Sequence, residues 1–198
     1  MTLALEENHT AAPADNLRKT LRPVLRPTGR DARPRLSDDG FYDSVASLAL
    51  CSGLDVALTT ADGTFLSYRA LSEANLGVRE AWDAAGLNVA TAAFTERGIK
   101  FGTRENLGGL EFRGCGAPIS AWLTHPQLFE IFHNHVCSLL RATNVIYFAP
   151  GTKTLTAVVA SPRQAYQLFT QAEEALDPLA PRLARKPLVW SNGFPKPI

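Results

Sequence analysis

His133-Asn134-His135 spells the letters of a metal-nuclease motif, and Cys137 follows closely. In such an enzyme a histidine activates water beside a divalent ion held by neighbouring groups. Helical geometry opposes that use here. Two residues along a helix is about 200° of rotation, so His133 and His135 face opposite ways. His135 falls on an apolar stripe and reads as a hydrogen-bonded core histidine. His133 and Cys137 are four apart, share a face, and form the one candidate pair for a metal.

Cys115 lies between Gly114 and Gly116, and His125 is ten residues on. A cysteine nucleophile needs a contacting base and an oxyanion hole of backbone N–H groups. Spacing guarantees neither, and glycine-flanked Cys115 also reads as filler in a tight loop. Cys115, His125 and His133 are therefore the candidates for a small hydrolase. Gly151-Thr152-Lys153-Thr154 resembles the end of a phosphate-binding loop. Pro150 before it, Thr152 between Gly and Lys, and a strand rather than a helix after it make it a hairpin turn. The acids Asp83, Glu96, Glu105, Glu111, Glu130, Glu173 and Glu174 are scattered, with no pair placed for acid–base work.

Charge is uneven. Arg18, Lys19, Arg22, Arg26, Arg30, Arg33 and Arg35 stand against Asp31 alone, so this stretch carries about +6 and the remainder about −5, in a chain of net charge +1. Arginines contact phosphates, so these seven are the candidates for nucleic-acid binding. No aromatic residue lies among them to stack on bases.

The elements that position these groups follow from periodicity and capping. Residues 1–38 contain Pro13, Pro23, Pro27 and Pro34 and read as a basic, mobile arm, with Leu17, Leu21 and Leu25 able to form one short amphipathic turn. A single domain is expected over 39–176. It opens with a helix over Phe41, Val45, Leu48 and Ala49, capped by Asp38 or Asp39 and ended at Gly53. A hairpin turning at Asp62-Gly63 follows. Apolar residues from Val78 to Thr95 recur at helical spacing, and Gly86 there suits close packing. Ile99 to Thr103 and Leu110 to Arg113 read as two short strands around Gly108-Gly109. Pro126 opens a helix with Thr124 and Gln127 as a capping box and with Leu128, Ile131, Phe132, His135 and Leu139 on its inner face. A hairpin through Pro150-Gly151 leads to a second capping box at Ser161 and a helix to Leu176. Residues 177–198 are proline-rich and read as a strap, with Leu188-Val189-Trp190 as a short edge strand. Consecutive hairpins predict an α+β fold: an antiparallel sheet with helices packed on it, built as a helix followed by hairpin–helix units.

The stretch ANLGVREAWDAAGLNVATAA, the HPQLFEIF helix, VIYFAPGTKTLTAVV and SPRQAYQLF together resemble the YtpQ-like group of uncharacterised bacterial proteins. The resemblance covers roughly residues 37 to 176 and rests on pattern and order. It implies an α+β cytoplasmic domain and carries over no catalytic residue.

Hydrophobic residues are 45% and charged residues 20% of 198, the balance of a globular chain able to bury a core. The longest apolar runs fall far short of the roughly 18 residues that span a bilayer, so no membrane role is expected. Three widely spaced cysteines without a CxxC pair argue against a disulfide framework or zinc ribbon. Glu6 and Glu7 stand where a signal peptide has Lys or Arg, which reads as cytoplasmic. No cofactor is implied. The combined expectation is a non-enzymatic binding or regulatory protein acting through protein contacts, with itself as a homodimer or with another protein. The hydrolase and the nucleic-acid binder are the alternatives.

Overall fold

Two antiparallel sheets, bridged by one long helix, make an α+β fold. The computed structural model describes residues 13–29, 42–96, 98–114 and 116–198. The smaller sheet holds β1 (Arg22–Pro27), β2 (Ser47–Cys51) and β3 (Leu54–Thr59) in the order β1-β3-β2. The larger holds β6 (Gly102–Asn106), β7 (Gly109–Arg113), β8 (Ile146–Gly151), β9 (Thr154–Val158), β10 (Leu188–Ser191) and β11 (Phe194–Pro197) in the order β11-β10-β8-β9-β7-β6. A minimal hairpin, β4 (Phe94–Thr95) and β5 (Gly98–Ile99), stands apart. The helices are α1 (Pro13–Thr20), α2 (Tyr68–Glu73), α3 (Val78–Ala93), α4 (Pro126–Leu140) and α5 (Pro162–Glu174), with a 3₁₀ turn at Ile119–Leu123.

The large sheet is buried on both faces, which explains why β8 is a run of buried residues rather than an alternation. Ile146, Phe148 and Val158 pack with Ala165, Phe169 and Ala172 of α5. Tyr147, Ala149, Leu155, Ala157 and Phe112 face the other way, onto Phe129, Phe132 and Val136 of α4 and onto Trp122. The bridging helix is α3. Ala81, Trp82 and Ala85 pack with the small sheet, and Val89 and Ala93 with the large one.

Several expectations are met. The helix from Val78, the helix from Pro126, the helix capped by Ser161 and the hairpin past Pro150-Gly151 are all present. Ser161 accepts the N–H of Gln164, and the chain turns at Thr152-Lys153, as a hairpin and not as a phosphate loop. Gly86 does permit close packing: a Cβ there would lie 2.9 Å from the His125 ring.

Four expectations are corrected. Part of the arm drawn over 1–38 is built into the fold. Residues 13–27 form α1 and β1, and Leu21 and Leu25 are 0% and 1% exposed. Pro23 and Pro27 are tolerated because β1 is an edge strand of its sheet. Of the helix drawn over Phe41 to Ala49, Asp38, Asp39 and Phe41 lie outside the described residues, while Leu48 and Ala49 belong instead to β2, whose partner is β3 across the turn at Ser52-Gly53; short apolar runs do not by themselves distinguish strand from helix. The Asp62-Gly63 turn exists, yet only isolated bridges, Thr59 with Phe65 and Val45 with Ser67, follow it before α2. The C-terminal strap, drawn over 177–198, ends in two strands of the large sheet; the expected strand at Leu188-Val189-Trp190 is present as β10 but is interior, between β8 and β11, and not at an edge.

Candidate functional site

The group nearest to reactive chemistry centres on His133, in the middle of α4. Its Nδ1 lies 2.7 Å from the Tyr147 hydroxyl, and its ring stacks on Trp190 at 4.9 Å and 4°. Burial holds the His133 imidazole below its usual range, pushes the Cys137 thiol up, and pushes the Tyr147 phenol far up with help from Cys137. At neutral pH the imidazole is uncharged and both the phenol and the thiol keep their protons. Cys137 therefore lacks the thiolate character of a nucleophile. A cleft of 520 Å³ opens beside this group, walled by Asn144, Ile146, Pro162, Val189 and Trp190.

His133 and Cys137 touch, but not as chelating ligands. Sγ is 3.5 Å from Nε2 and 3.8 Å from Nδ1. A tetrahedral zinc, with Zn–N about 2.0 Å and Zn–S about 2.3 Å, would put the sulfur about 3.5 Å from the bound nitrogen and about 5 Å from the other. Near-equal distances place the sulfur against the ring instead of along a lone pair. Among the described residues no group of three or more His, Cys, Asp or Glu is placed to hold a metal ion.

His125 serves the fold. It, and not Thr124, is the N-cap of α4: its Nδ1 accepts the N–H of Gln127 at 3.3 Å. Its Nε2 meets Asp83 at 3.2 Å, and its ring lies 4.6 Å from that of Trp82, whose indole N–H donates to the Thr124 carbonyl at 2.8 Å. At 6% exposed, with both nitrogens engaged, it presents nothing to a substrate. Cys115 lies outside the described residues, as do Arg30, Arg33 and Arg35. Arg18, on α1, pairs with Glu80 and Asp15, and Lys19 is its neighbour on that helix. Arg22 and Arg26 alternate with buried Pro23 and Leu25 along β1, so both lie on its outer face. Arg22 donates to the Leu21 carbonyl at 2.8 Å.

A surface the sequence reading did not single out is better formed. The loop between β6 and β7 is two residues, Leu107 and Gly108, at φ of 52° and 71°. Two positive φ values in a two-residue loop are the type I′ hairpin, whose flanking pair exchanges both backbone hydrogen bonds. Pairs then alternate, so Asn106/Gly109, Arg104/Glu111 and Gly102/Arg113 are the bonded ones. Thr103 and Glu105 consequently turn their N–H and C=O groups away from β7. Since β6 ends the sheet, those four groups face an open edge among the described residues. Arg104 is held on the α5 side of the sheet by Glu111 at 2.7 Å, with Asn106 on the same carboxylate oxygen at 2.8 Å.

On the other side of that edge runs the outer stripe of α4. Ile131 is 37% and Leu139 47% exposed, with half-buried His135 between them against Phe101 at 5.3 Å. The expected inner face of α4 included these residues; Leu128 and Phe132 are inside as expected, but Phe129 and Val136 accompany them in place of Ile131, His135 and Leu139. A groove of 680 Å³ runs between Leu139 and Leu140 and the Glu105–Leu110 turn. The signal for this edge was the hairpin around Gly108-Gly109. It was blunted because Leu107 occupies a position where Asn or Gly is the usual marker.

No protein-family model matches the chain, and no solved structure matches it. Over 92 residues it is 36% identical to the nitric oxide synthase oxygenase of Deinococcus radiodurans, a segment that is 46% of this chain and 24% of that enzyme. The similarity spans about a quarter of the oxygenase. No helix among the described residues is long and apolar enough to cross a membrane.

Proposed function

We propose that this chain is a non-enzymatic binding or regulatory protein of the cytoplasm that works through protein contacts, taking an extended segment of a partner onto the open edge of β6. The observation that carries the reading is the outward pair Thr103 and Glu105 on the last strand of a six-stranded sheet. Strand addition satisfies such groups with main-chain hydrogen bonds and reads alternate side chains in the flanking grooves. Here one flank is apolar, the groove at Leu139 and Leu140, and the other carries the Arg104–Glu111 pair. A partner segment with apolar residues at alternate positions fits both. The resemblance to the YtpQ-like group, proposed on pattern, adds an α+β domain and no reacting residue to this reading.

The test is a photo-reactive phenylalanine in place of Thr103, irradiated in cells. Protein adducts at this position, absent when the same group replaces Lys153 in the distant β8–β9 turn, are the expected result. Absence of any adduct, together with small-molecule turnover lost in His133→Phe or Cys115→Ser, would overturn the proposal.

A further inference from the structure

Resting on the strand-addition reading, we infer that the occupant of the β6 edge is a second copy of this chain, joined in an antiparallel register centred on Arg104. Two copies of an edge strand side by side are related by a twofold axis perpendicular to the sheet, because only that operation keeps each face on its own side. The outward residues of the strand must then meet outward residues of the copy. Centring on Arg104 sets Thr103 opposite Glu105 of the other copy and Glu105 opposite its Thr103. This register uses all four outward groups of each chain, which are Thr103 and Glu105 by the alternation of the β6–β7 pairing. Registers shifted by two residues engage only one of the two outward residues with its equivalent.

The side chains agree with the backbone. Thr103 and Glu105 share a register with Phe112 and Leu110, so they lie on the α4 face of the sheet. In the joined sheet the Thr103 hydroxyl of one copy can donate to the Glu105 carboxylate of the other. On the opposite face the two Arg104 side chains face each other. Like charges so placed repel, but each guanidinium already lies 2.7 Å from its own Glu111, whose side chain is only 8% exposed. On that face the junction therefore holds two acids and two bases and no net charge.

The helices agree as well. Leu139 lies at the Asn106 end of β6, beside the groove to the hairpin turn. Phe101 and His135 lie at the Gly102 end. Antiparallel pairing brings the first end of one copy to the second end of the other. Exposed Leu139 of each chain then covers the Phe101–His135 pair of its partner. Two six-stranded sheets become one continuous sheet, with both α4 helices on the same face.

The measurement is solution mass by light scattering over a hundredfold range of concentration. It is made on the full chain, on Thr103→Pro, on Arg104→Glu and on Leu139→Glu. Proline at 103 removes an outward N–H that the β6–β7 hairpin does not use, so the fold is kept, as circular dichroism and an unchanged melting profile at low concentration will verify. The expected result is about twice the 21.5 kDa chain mass for the wild type. Association at least tenfold weaker is expected for each variant, and Arg104→Glu weakens it most because it gathers four carboxylates about the axis on that face. The photo-reactive group at 103 should then yield a cross-linked pair of this chain. A wild type that stays monomeric while position 103 cross-links to a different protein overturns the second-copy inference and leaves the edge reading intact. A dimer unaffected by Thr103→Pro and Arg104→Glu, with no adduct at 103, overturns both.

Discussion

The Tyr147 hydroxyl sits 2.7 Å from His133 Nδ1, tying the centre of β8 to the middle of α4. With Trp190 stacked on the ring and Cys137 against it, His133 joins three elements: the helix that carries it, β8 and β10. The neutral imidazole and the protonated phenol share one hydrogen bond, which is how this polar pair is satisfied without charge. Tyr147→Phe removes the donor and leaves Nδ1 without its partner. Its expected cost is about 0.5–1.5 kcal/mol of stability, read from denaturant unfolding. A variant as stable as wild type would show that this bond contributes nothing net.

The same residue gives the protein a pH dependence whose direction is fixed. Burial lowers both His133 and His135 from the ordinary value of 6.5. Below that value the unfolded chain takes up protons before the folded one does. Stability is therefore fully present above about pH 6.5 and is lost as pH falls toward the folded-state values. Melting temperatures at pH 7.5, 6.5 and 5.5 should decline in that order. The decline should be shallower in His133→Phe, and shallower still when His135→Phe is added. Equal slopes in all three proteins would dismiss the histidines as its source.

The thiols that can be placed are expected to be slow. Burial and the nearby Asp55 carboxylate push Cys51 up to about 11, and burial raises Cys137. At pH 8 neither is appreciably thiolate. Iodoacetamide labelling mapped by peptide should leave Cys51 and Cys137 largely unmodified in the native protein and modify both in urea. Rapid native labelling of Cys137 would instead reveal an activated thiol beside His133 and revive the enzyme alternative.

Leu25 decides whether the N-terminal segment belongs to the domain. It is 1% exposed and packs in the main core. Leu25→Ala should cost about 2–5 kcal/mol by chemical denaturation, and removal of residues 1–28 should abolish cooperative unfolding. A truncated protein that melts like the full chain would restore the picture of a detachable arm.

Gly109 tests the hairpin that creates the open edge. A Cβ there would fall 2.2 Å from the Ala157 carbonyl oxygen on the neighbouring strand. Gly109→Ala must push β7 off β9, at a cost of about 1–3 kcal/mol as overpacking. It should also speed amide exchange at Leu110 and Phe112, which pair with β9. Wild-type exchange at both positions would mean that the contact is relieved elsewhere.

How much of this was legible in the chain itself differs element by element. The helices α3, α4 and α5 announce themselves through spacing and through Pro126, Ser161 and Pro162, because helical hydrogen bonds and caps are local. The same holds for the β8–β9 and β6–β7 hairpins, whose turns lie within a few residues of their strands. The sequence likewise determined the α+β class with antiparallel pairing. Tertiary structure decided what depends on distant partners. Arg22–Pro27 is a strand only because Leu54–Thr59 lies beside it, and proline content alone said arm. Leu188–Ser191 is interior only because Phe194–Pro197 returns to cover it. The inner face of α4 was ambiguous in the same way. Leu128 and Phe132 point inward on either reading. Only the sheet and Trp122 beneath the helix select Phe129 and Val136 over Ile131 and Leu139 as their companions. That selection turned an apolar stripe outward, beside a strand whose last hydrogen bonds no other part of the described chain fills. A linear pattern records which residues are apolar, but burial is a property of what stands opposite.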